Sequence, residues 1–155
     1  MSDHRITLDW SRGGGPFERG NYNRDHDVHF SGGQTIRNSA APGEYAGNPQ
    51  ASNPEELLLS ALSSCHMLTF LAVAANRGYT IDSYHDDASA ELGKNADGKM
   101  AVVKAILAPH VAFSGDKRPG DDDYLKLHER AHAACFIANS IKSTVELRPT
   151  MRNDA

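Results

Sequence analysis

Two cysteines, Cys65 and Cys135, are the residues of this chain best suited to nucleophilic chemistry. A cysteine attacks electrophiles only as the thiolate, so its reactivity depends on the pKa that its surroundings impose. In a reducing compartment, two cysteines that are 70 positions apart are not expected to form a permanent disulfide. The simpler interpretation is that both are buried and fill space as small apolar side chains. Their surroundings decide between the two roles.

The residues that would surround Cys65 on a helix offer no charge. Positions three and four residues away hold Ala61, Leu62, Leu68 and Thr69. Burial among such side chains raises the pKa of a thiol, because desolvation disfavours the thiolate. A reactive Cys65 therefore requires a cation from another part of the fold. Arginine is the natural candidate, since it stays charged at any working pH.

Three histidines accompany the cysteines. His66 follows Cys65 directly, but consecutive helical residues are rotated by about 100°, so we predict a core or interface histidine rather than a partner of the thiol. His128, His132 and Cys135 are spaced i, i+4 and i+7. Two histidines at this spacing can bind zinc. A zinc site with Cys65 as a further ligand is therefore an open alternative to an ordinary packed helix face.

A long apolar helix is predicted to carry the first cysteine. Asn53 can cap its N-terminus, Pro54 suits the first helical position, and Glu56 can bond back to the cap. We expect the helix to extend to about residue 77. Gly78 can then take the left-handed conformation that closes a helix.

The remaining elements are predicted to be mostly strands. In chain order the sequence predicts a half-buried strand at 6–10, a hairpin at 27–36, the long helix, a hairpin of two long strands at 80–92 and 100–113, a helix from Asp121, and a strand at 144–147. Strands, one long buried helix, a hairpin, a second helix and a final strand make an α+β domain with antiparallel pairing. We expect one domain over residues 1–155.

Charge and composition exclude two classes of partner. Sixteen Lys and Arg residues against 20 Asp and Glu residues give a net charge of −4, which provides no positive field for nucleic acid. Residues 57–76 are uncharged and long enough to span a bilayer, but polar side chains crowd their middle, so no membrane span is predicted. The first ten residues lack the apolar core of a secretory signal, and a cytoplasmic location is expected.

Two segments carry a resemblance to a known family. The first reads NPEELL at 53–58 and LSSC at 62–65, and the second reads AHAACFIANSI at 131–141. Both are similar, in the same order, to the cysteine motifs of the OsmC/Ohr family of thiol-dependent hydroperoxide reductases. The resemblance covers roughly residues 4–149. It implies the family's fold, in which an antiparallel sheet and long central helices form an intertwined homodimer.

The resemblance also implies a reaction. Cys65 would attack an organic hydroperoxide, and hydrogen peroxide as a further substrate, and become a sulfenic acid. Cys135 would resolve the sulfenic acid as a disulfide, which requires the two Cα atoms to lie within about 7 Å in the oxidised form. A thiol or dithiol, such as a lipoylated protein, would be the reductant. No cofactor and no metal is part of this mechanism.

An arginine and an acid complete the implied site. Glu55 matches the family's acidic residue, which holds an arginine over the thiolate. Arg24 is the preferred arginine because it precedes a strand and has Asp25 or Glu55 as a possible brace, and Arg19 and Arg37 are the alternatives. Ten residues of helix separate Glu55 from Cys65 by about 15 Å. Either the helix breaks, or the acid and its arginine come from a second subunit. The second option fits the intertwined dimer that the resemblance implies.

Two features depart from the family pattern. Phe136 follows the second cysteine where many relatives carry a proline. His66, His128 and His132 make the expected site richer in imidazole than the best-known peroxidases of the family. Separately from these departures, a non-catalytic member of the fold that binds a small apolar ligand beside buried thiols is a second alternative.

Overall fold

The computed structural model describes residues 2–152 and contains two α-helices and nine strands over this part of the chain. The helices are α1 (Pro54–Asn76) and α2 (Asp121–Ala134). The strands are β1 (Ile6–Asp9), β2 (His26–Phe30), β3 (Thr35–Asn38), β4 (Thr80–Asp86), β5 (Ser89–Lys94), β6 (Met100–Leu107), β7 (Pro109–Ser114), β8 (Thr144–Leu147) and β9 (Thr150–Arg152). The α+β class predicted from the sequence is confirmed. The chain forms two compact units, the first ending at Leu57 and the second beginning at Leu58.

The first unit is built on a three-stranded antiparallel sheet in the order β1-β2-β3. The predicted β2–β3 hairpin is confirmed, and its turn uses Gly33 at a φ of 86°. The first strand differs from the prediction, because all four of its residues are exposed, Ile6 at 56% and Leu8 at 55%. Alternation of apolar residues identifies an amphipathic strand, but it does not specify what covers the apolar face.

The second unit contains two mixed sheets, in the orders β4-β7-β9 and β5-β6-β8. The predicted hairpin of two long strands is wrong in detail, since each strand is divided: β4 pairs with β7 and β5 pairs with β6. Pro109, which has no N–H to donate, begins β7 at the division. The strands β8 and β9 add in parallel, and β9 was not predicted. Parallel partners come from distant parts of the chain, so the local pattern does not reveal them.

Local sequence sets both ends of α1. The N–H of Glu56 donates to Asn53 Oδ1 at 2.9 Å, and the N–H of Asn53 donates to Glu56 Oε2 at 3.1 Å, which is the predicted capping box. At the other end Gly78 has a φ of 76°, and the N–H of Tyr79 donates to the carbonyl of Ala74 at 3.1 Å. Both predicted ends are confirmed to within a residue.

One face of α1 packs into the core of the second unit. Its buried residues recur every four positions, at Leu62, His66, Phe70 and Ala74. Leu62 belongs to a cluster that contains Cys135, whereas Phe70 and Ala74 belong to a second cluster with residues of β7 and α2. By length and composition alone α1 could cross a membrane, a test that a core helix of a soluble protein also passes.

Asp86, at the end of β4, links three parts of the second unit. The hydroxyl of Ser63 on α1 donates to Asp86 Oδ2 at 2.5 Å. The N–H of Ala108, between β6 and β7, donates to Asp86 Oδ1 at 2.7 Å. Hydrogen bonds to a carboxylate are stronger than neutral ones. This carboxylate therefore fixes the position of α1 relative to the junction between β6 and β7, where the two sheets separate.

Replacing Asp86 by alanine is expected to lower the free energy of unfolding by about 2–3 kcal/mol, because the Ser63 hydroxyl and the Ala108 N–H both lose their acceptor. Urea denaturation measures the loss. The adjacent and exposed Asp87 provides the control, and Asp87→Ala is expected to stay within about 0.5 kcal/mol of the wild type. Equal effects of the two substitutions would contradict the role assigned to Asp86.

Candidate functional site

The two cysteines meet in the core of the second unit. Cys65 lies in the middle of α1, and Cys135 is the residue at which α2 ends, with an extended backbone of φ −70° and ψ 116°. Cys135 is fully buried, and the half-buried Cys65 packs against its cluster. Both are free thiols, and hydrogen bonding with the other thiol contributes to the pKa shift of each. The fold therefore brings together two thiols that are 70 positions apart in the sequence.

The turn that follows α2 encloses the sulfur pair. The side-chain amide of Asn139 donates to the carbonyls of Ala133 and Cys135, each at 3.0 Å. The N–H of Ala138 donates to Cys135 Sγ at 3.4 Å. Side-chain bonds of this kind fix the shape of a turn. The peptide groups of the turn are thus held in place beside both sulfurs.

The surroundings shift the pKa values of the two thiols in opposite directions. Desolvation raises the pKa of Cys65, but hydrogen bonds outweigh it and leave the pKa below the ordinary thiol value. These bonds come from the backbone of Ile137, the Cys135 side chain, the backbone of Phe136 and the Thr69 side chain. Burial raises the pKa of Cys135, and a hydrogen bond from the N–H of Ala138 offsets this increase only in part. Of the two thiols, Cys65 therefore loses its proton more readily than Cys135.

The preferred arginine, Arg24, lies in the first unit. Its guanidinium lies 4.1 Å from the ring centroid of Tyr22, and its Nη1 donates to the Tyr22 carbonyl at 2.9 Å. Arg24 and Arg19 both line an open groove of about 860 Å³. Trp10 and Phe17 form aromatic walls of this groove, with ring centroids 6.0 Å apart.

The third arginine and the acid are placed differently. Arg37 forms an ion pair with Asp27, with Nε 2.6 Å from the carboxylate, so its charge already has a partner. Glu55 is half-buried near the start of α1. Its Oε2 is buried and has no hydrogen-bond partner among residues 2–152. A buried carboxylate oxygen without a donor is costly, so a donor from outside this set of residues would stabilise it.

His66 and His128 form a buried pair between α1 and α2. His66 Nε2 lies 3.0 Å from His128 Nδ1, and the two rings are parallel. Phe70 stacks on His128 at 4.2 Å, and Tyr124 packs edge-on against it at 4.7 Å. Burial lowers the pKa of His66 to about 4 and that of His128 to about 3. Both rings are therefore neutral at pH 7 and share one N–H, and His66 is a core histidine as predicted.

The zinc alternative is not favoured by this geometry. The helix ends at Ala134, so Cys135 leaves the helical face on which the predicted ligand spacing depended. His128 Nδ1 is engaged by His66. Within the described part of the chain, no group of three or more His, Cys, Asp or Glu side chains is arranged to hold a metal ion.

Sequence reasoning did not identify the peptide groups of residues 136–138 as part of the site. Every residue except proline has a backbone N–H, so residue type does not mark the ones that face a sulfur. The available signal is the pair Asn139 and Ser140, because Asn and Ser favour turns. Thr69 was noted only as an uncharged neighbour of Cys65, although its side chain bonds to that residue.

The chain is similar to known proteins over nearly its whole length. The family model described as OsmC-like protein matches residues 47–150. The solved structure of an OsmC-like protein of unknown function from Vibrio cholerae is 40% identical, covers 97% of this chain and 100% of its own, and has a TM-score of 0.92. An uncharacterized protein of Bacillus subtilis is 26% identical over 149 residues, which are 96% of this chain and 93% of that protein.

Two organic hydroperoxide resistance proteins of known structure share the fold at lower identity. The one from Elizabethkingia anophelis is 18% identical, with coverage of 99% and 98% of the two chains and a TM-score of 0.69. The one from Bacillus subtilis is 17% identical, with coverage of 97% and 98% and a TM-score of 0.63. At these identities the similarity concerns the fold alone.

Acidification is expected to destabilise the protein through the histidine pair. Unfolded histidine has a pKa near 6.5, well above the values of His66 and His128 in the fold. The unfolded state therefore binds more protons, and the free energy of unfolding falls as the pH decreases from about 6.5 toward about 4. Each histidine contributes a slope of at most about 1.4 kcal/mol per pH unit. Urea denaturation across this range measures the slope.

The control for this prediction removes both partners together. The double variant His66→Leu/His128→Leu leaves no buried imidazole of the pair to be protonated and is expected to show a shallower slope. His85 on β4 is exposed, and His85→Gln is expected to keep the wild-type slope. An unchanged slope in the double variant would show that other groups cause the acid sensitivity.

Proposed function

The chain belongs to the family of OsmC-like proteins, and on this basis we propose that it is a thiol-dependent peroxidase that reduces organic hydroperoxides. The contact between Cys65 and Cys135 in an apolar cluster, with pKa values shifted in opposite directions, carries the proposal. A peroxidase of this type needs one sulfur that ionises and a second that stays protonated until it is used. Hydrogen peroxide is a further substrate in the same mechanism.

The reaction uses the two sulfurs in turn. The thiolate of Cys65 attacks the terminal oxygen of the hydroperoxide, the O–O bond breaks, and the departing alkoxide takes a proton and leaves as an alcohol. Cys65 is then a sulfenic acid. The sulfur of Cys135 attacks that of Cys65, which forms the disulfide and releases hydroxide, and this leaves as water with the Cys135 proton. A cytoplasmic dithiol supplies two electrons and two protons to restore both thiols.

The proposed site also includes Arg24 and Glu55, contributed by a second subunit of a homodimer. An arginine near the thiolate stabilises the charge that attacks the peroxide. Three features support this arrangement: Arg24 has no carboxylate partner among the ion pairs of residues 2–152, Glu55 has a buried oxygen without a donor, and only 22% of the most apolar stretch of α1 is buried within one chain. An apolar helix of this kind is typical of an obligate interface.

The groove of the first unit supports a second candidate function, the binding of a small apolar ligand without catalysis. Aromatic side chains, among them Trp10, Phe17 and Tyr22, line it beside Arg24. Such a surface suits an organic ligand with an apolar body. The two functions differ in the fate of the thiols, because simple binding leaves both of them reduced.

Substitution of the cysteines is expected to separate the two steps of the reaction. Cys65→Ser should abolish the consumption of an alkyl hydroperoxide, because the nucleophile is lost. Cys135→Ser should still consume about one equivalent of peroxide per subunit and then stop at the sulfenic acid, without a disulfide. Peroxide assays, thiol titration and intact-protein mass spectrometry measure these outcomes. If the wild-type protein binds the hydroperoxide but keeps two free thiols, the ligand-binding function is correct instead.

Complementation between subunits tests the proposed role of Arg24. Arg24→Ala and Cys65→Ser are each expected to lower kcat/KM by at least about 100-fold. When the two variants are co-expressed with different tags, half of the dimers are mixed, and each mixed dimer has one site with Arg24 and Cys65 both intact. The population should regain about a quarter of the wild-type activity.

The matched control pairs Arg24→Ala with the double variant Arg24→Ala/Cys65→Ser, which supplies no intact arginine and should restore nothing. Arg19→Ala, at the same groove, should lower kcat/KM far less than Arg24→Ala does. Absence of rescue in dimers shown to be mixed would mean that Arg24 does not act across the interface.

A further inference from the structure

Three successive peptide groups follow α2 beside the sulfur pair. They belong to Phe136, Ile137 and Ala138, which follow the end of α2. The N–H of Ala138 donates to Cys135 Sγ at 3.4 Å, and Ile137 packs against the same cluster as Cys65. The pKa of Cys65 is lowered by hydrogen bonding from two further backbone groups, the N–H groups of Phe136 and Ile137. Among residues 2–152, no backbone carbonyl accepts either of these last two N–H groups. Consecutive N–H groups that point to one side form a concavity that binds anions.

The concavity is preorganised by bonds that leave these N–H groups free. The hydroxyl of Ser140 donates to the carbonyl of Phe136 at 2.7 Å, and the N–H of Asn139 donates to the carbonyl of Cys135 at 3.1 Å. The side chain of Asn139 holds the same carbonyl and that of Ala133. Carbonyls on the outer side of the turn are therefore satisfied by local partners. Dipoles that are fixed before a charge forms stabilise it without reorganisation.

We propose that residues 136–138 form an anion-binding turn, in which the N–H groups of Phe136 and Ile137 hold the thiolate of Cys65 and the N–H of Ala138 holds the sulfur of Cys135. The significance of this turn for catalysis rests on the peroxidase function proposed above. The turn stabilises the attacking sulfur from within one chain, independently of any arginine from a second subunit. The titratable group that faces Cys65 in the turn is the thiol of Cys135.

Phe136 contributes to this turn through its backbone N–H. The side chain of Phe136 is 81% exposed, so its contribution to the sulfur pair comes from its peptide group. A proline at this position would have no N–H to donate. The backbone of Cys135, at φ −70° and ψ 116°, already has the conformation that a following proline requires. Phe136→Pro therefore removes one hydrogen bond to the sulfur with little change to the preceding backbone.

The test compares Phe136→Pro with Phe136→Ala, which removes the aromatic ring but keeps the N–H. The rate of alkylation of Cys65 by iodoacetamide is measured against pH, with the modified peptide identified by mass spectrometry. Phe136→Pro is expected to raise the pKa of Cys65 by about one unit, which lowers the thiolate fraction about tenfold at a fixed pH below the pKa. Phe136→Ala is expected to keep the wild-type pKa. Equal pKa values in the two variants would overturn the proposal.

A measurement on the wild-type protein does not depend on the folding of a proline variant. The amide ¹H and ¹⁵N resonances of Phe136 and Ile137 should shift with pH at the midpoint of Cys65 ionisation, and the shift should be lost in Cys65→Ser. Amide resonances of Phe136 and Ile137 that do not shift at this midpoint would overturn the proposal. Neither measurement uses peroxide. If both measurements support the turn but the protein does not consume peroxide, the peroxidase function alone is refuted. If the protein consumes peroxide but Phe136→Pro and Phe136→Ala have equal pKa values at Cys65, the turn alone is refuted.

Discussion

The proposed chemistry depends on one constraint: a thiolate at Cys65 has to be stabilised inside an apolar cluster. Removal of a thiolate from water raises its free energy, and the side chains packed around Cys65 and Cys135 offer mostly hydrocarbon. Hydrogen bonds from peptide groups after α2 and from Thr69 compensate at Cys65 and leave its pKa lowered, whereas the more deeply buried Cys135 keeps a raised pKa. The asymmetry of the two thiols thus arises at the end of α2, where the peptide groups that follow the last helical turn lie beside the sulfurs.

The same two helices build a second polar contact in the core. Cys65 and His66 are adjacent on α1, but the helical rotation sends Cys65 toward the end of α2 and His66 toward its middle, where it meets His128. Aromatic rings surround this imidazole pair, which is neutral at pH 7. The sulfur contact and the histidine contact thus both result from the same packing of α1 against α2. A change in the position of α1 against α2 would alter both, and the bond from Ser63 to Asp86 holds α1 close to them.

The proposed arginine differs in kind from these contacts. The peptide turn can lower the pKa of a thiol, but it carries no full charge to offset the one that develops on the peroxide oxygen. A guanidinium supplies this charge, and Arg24 lies among aromatic side chains in a groove suited to the organic part of a substrate. The exposed apolar residues of β1 and α1 suit the proposed homodimer, in which the groove of one subunit would meet the cysteines of the other.

Local sequence determined the features that involve neighbouring residues. Asn53, Glu56 and Gly78 fixed the ends of α1, and the motif around each cysteine indicated the family, because caps and motifs depend on side chains a few positions apart. Only the tertiary structure decided how β4 to β7 divide between two sheets, where the parallel strands β8 and β9 attach, and which peptide N–H groups face Cys65. These outcomes depend on contacts between distant segments and on backbone groups that are alike at nearly every residue. Residue types and their spacing therefore do not predict these features.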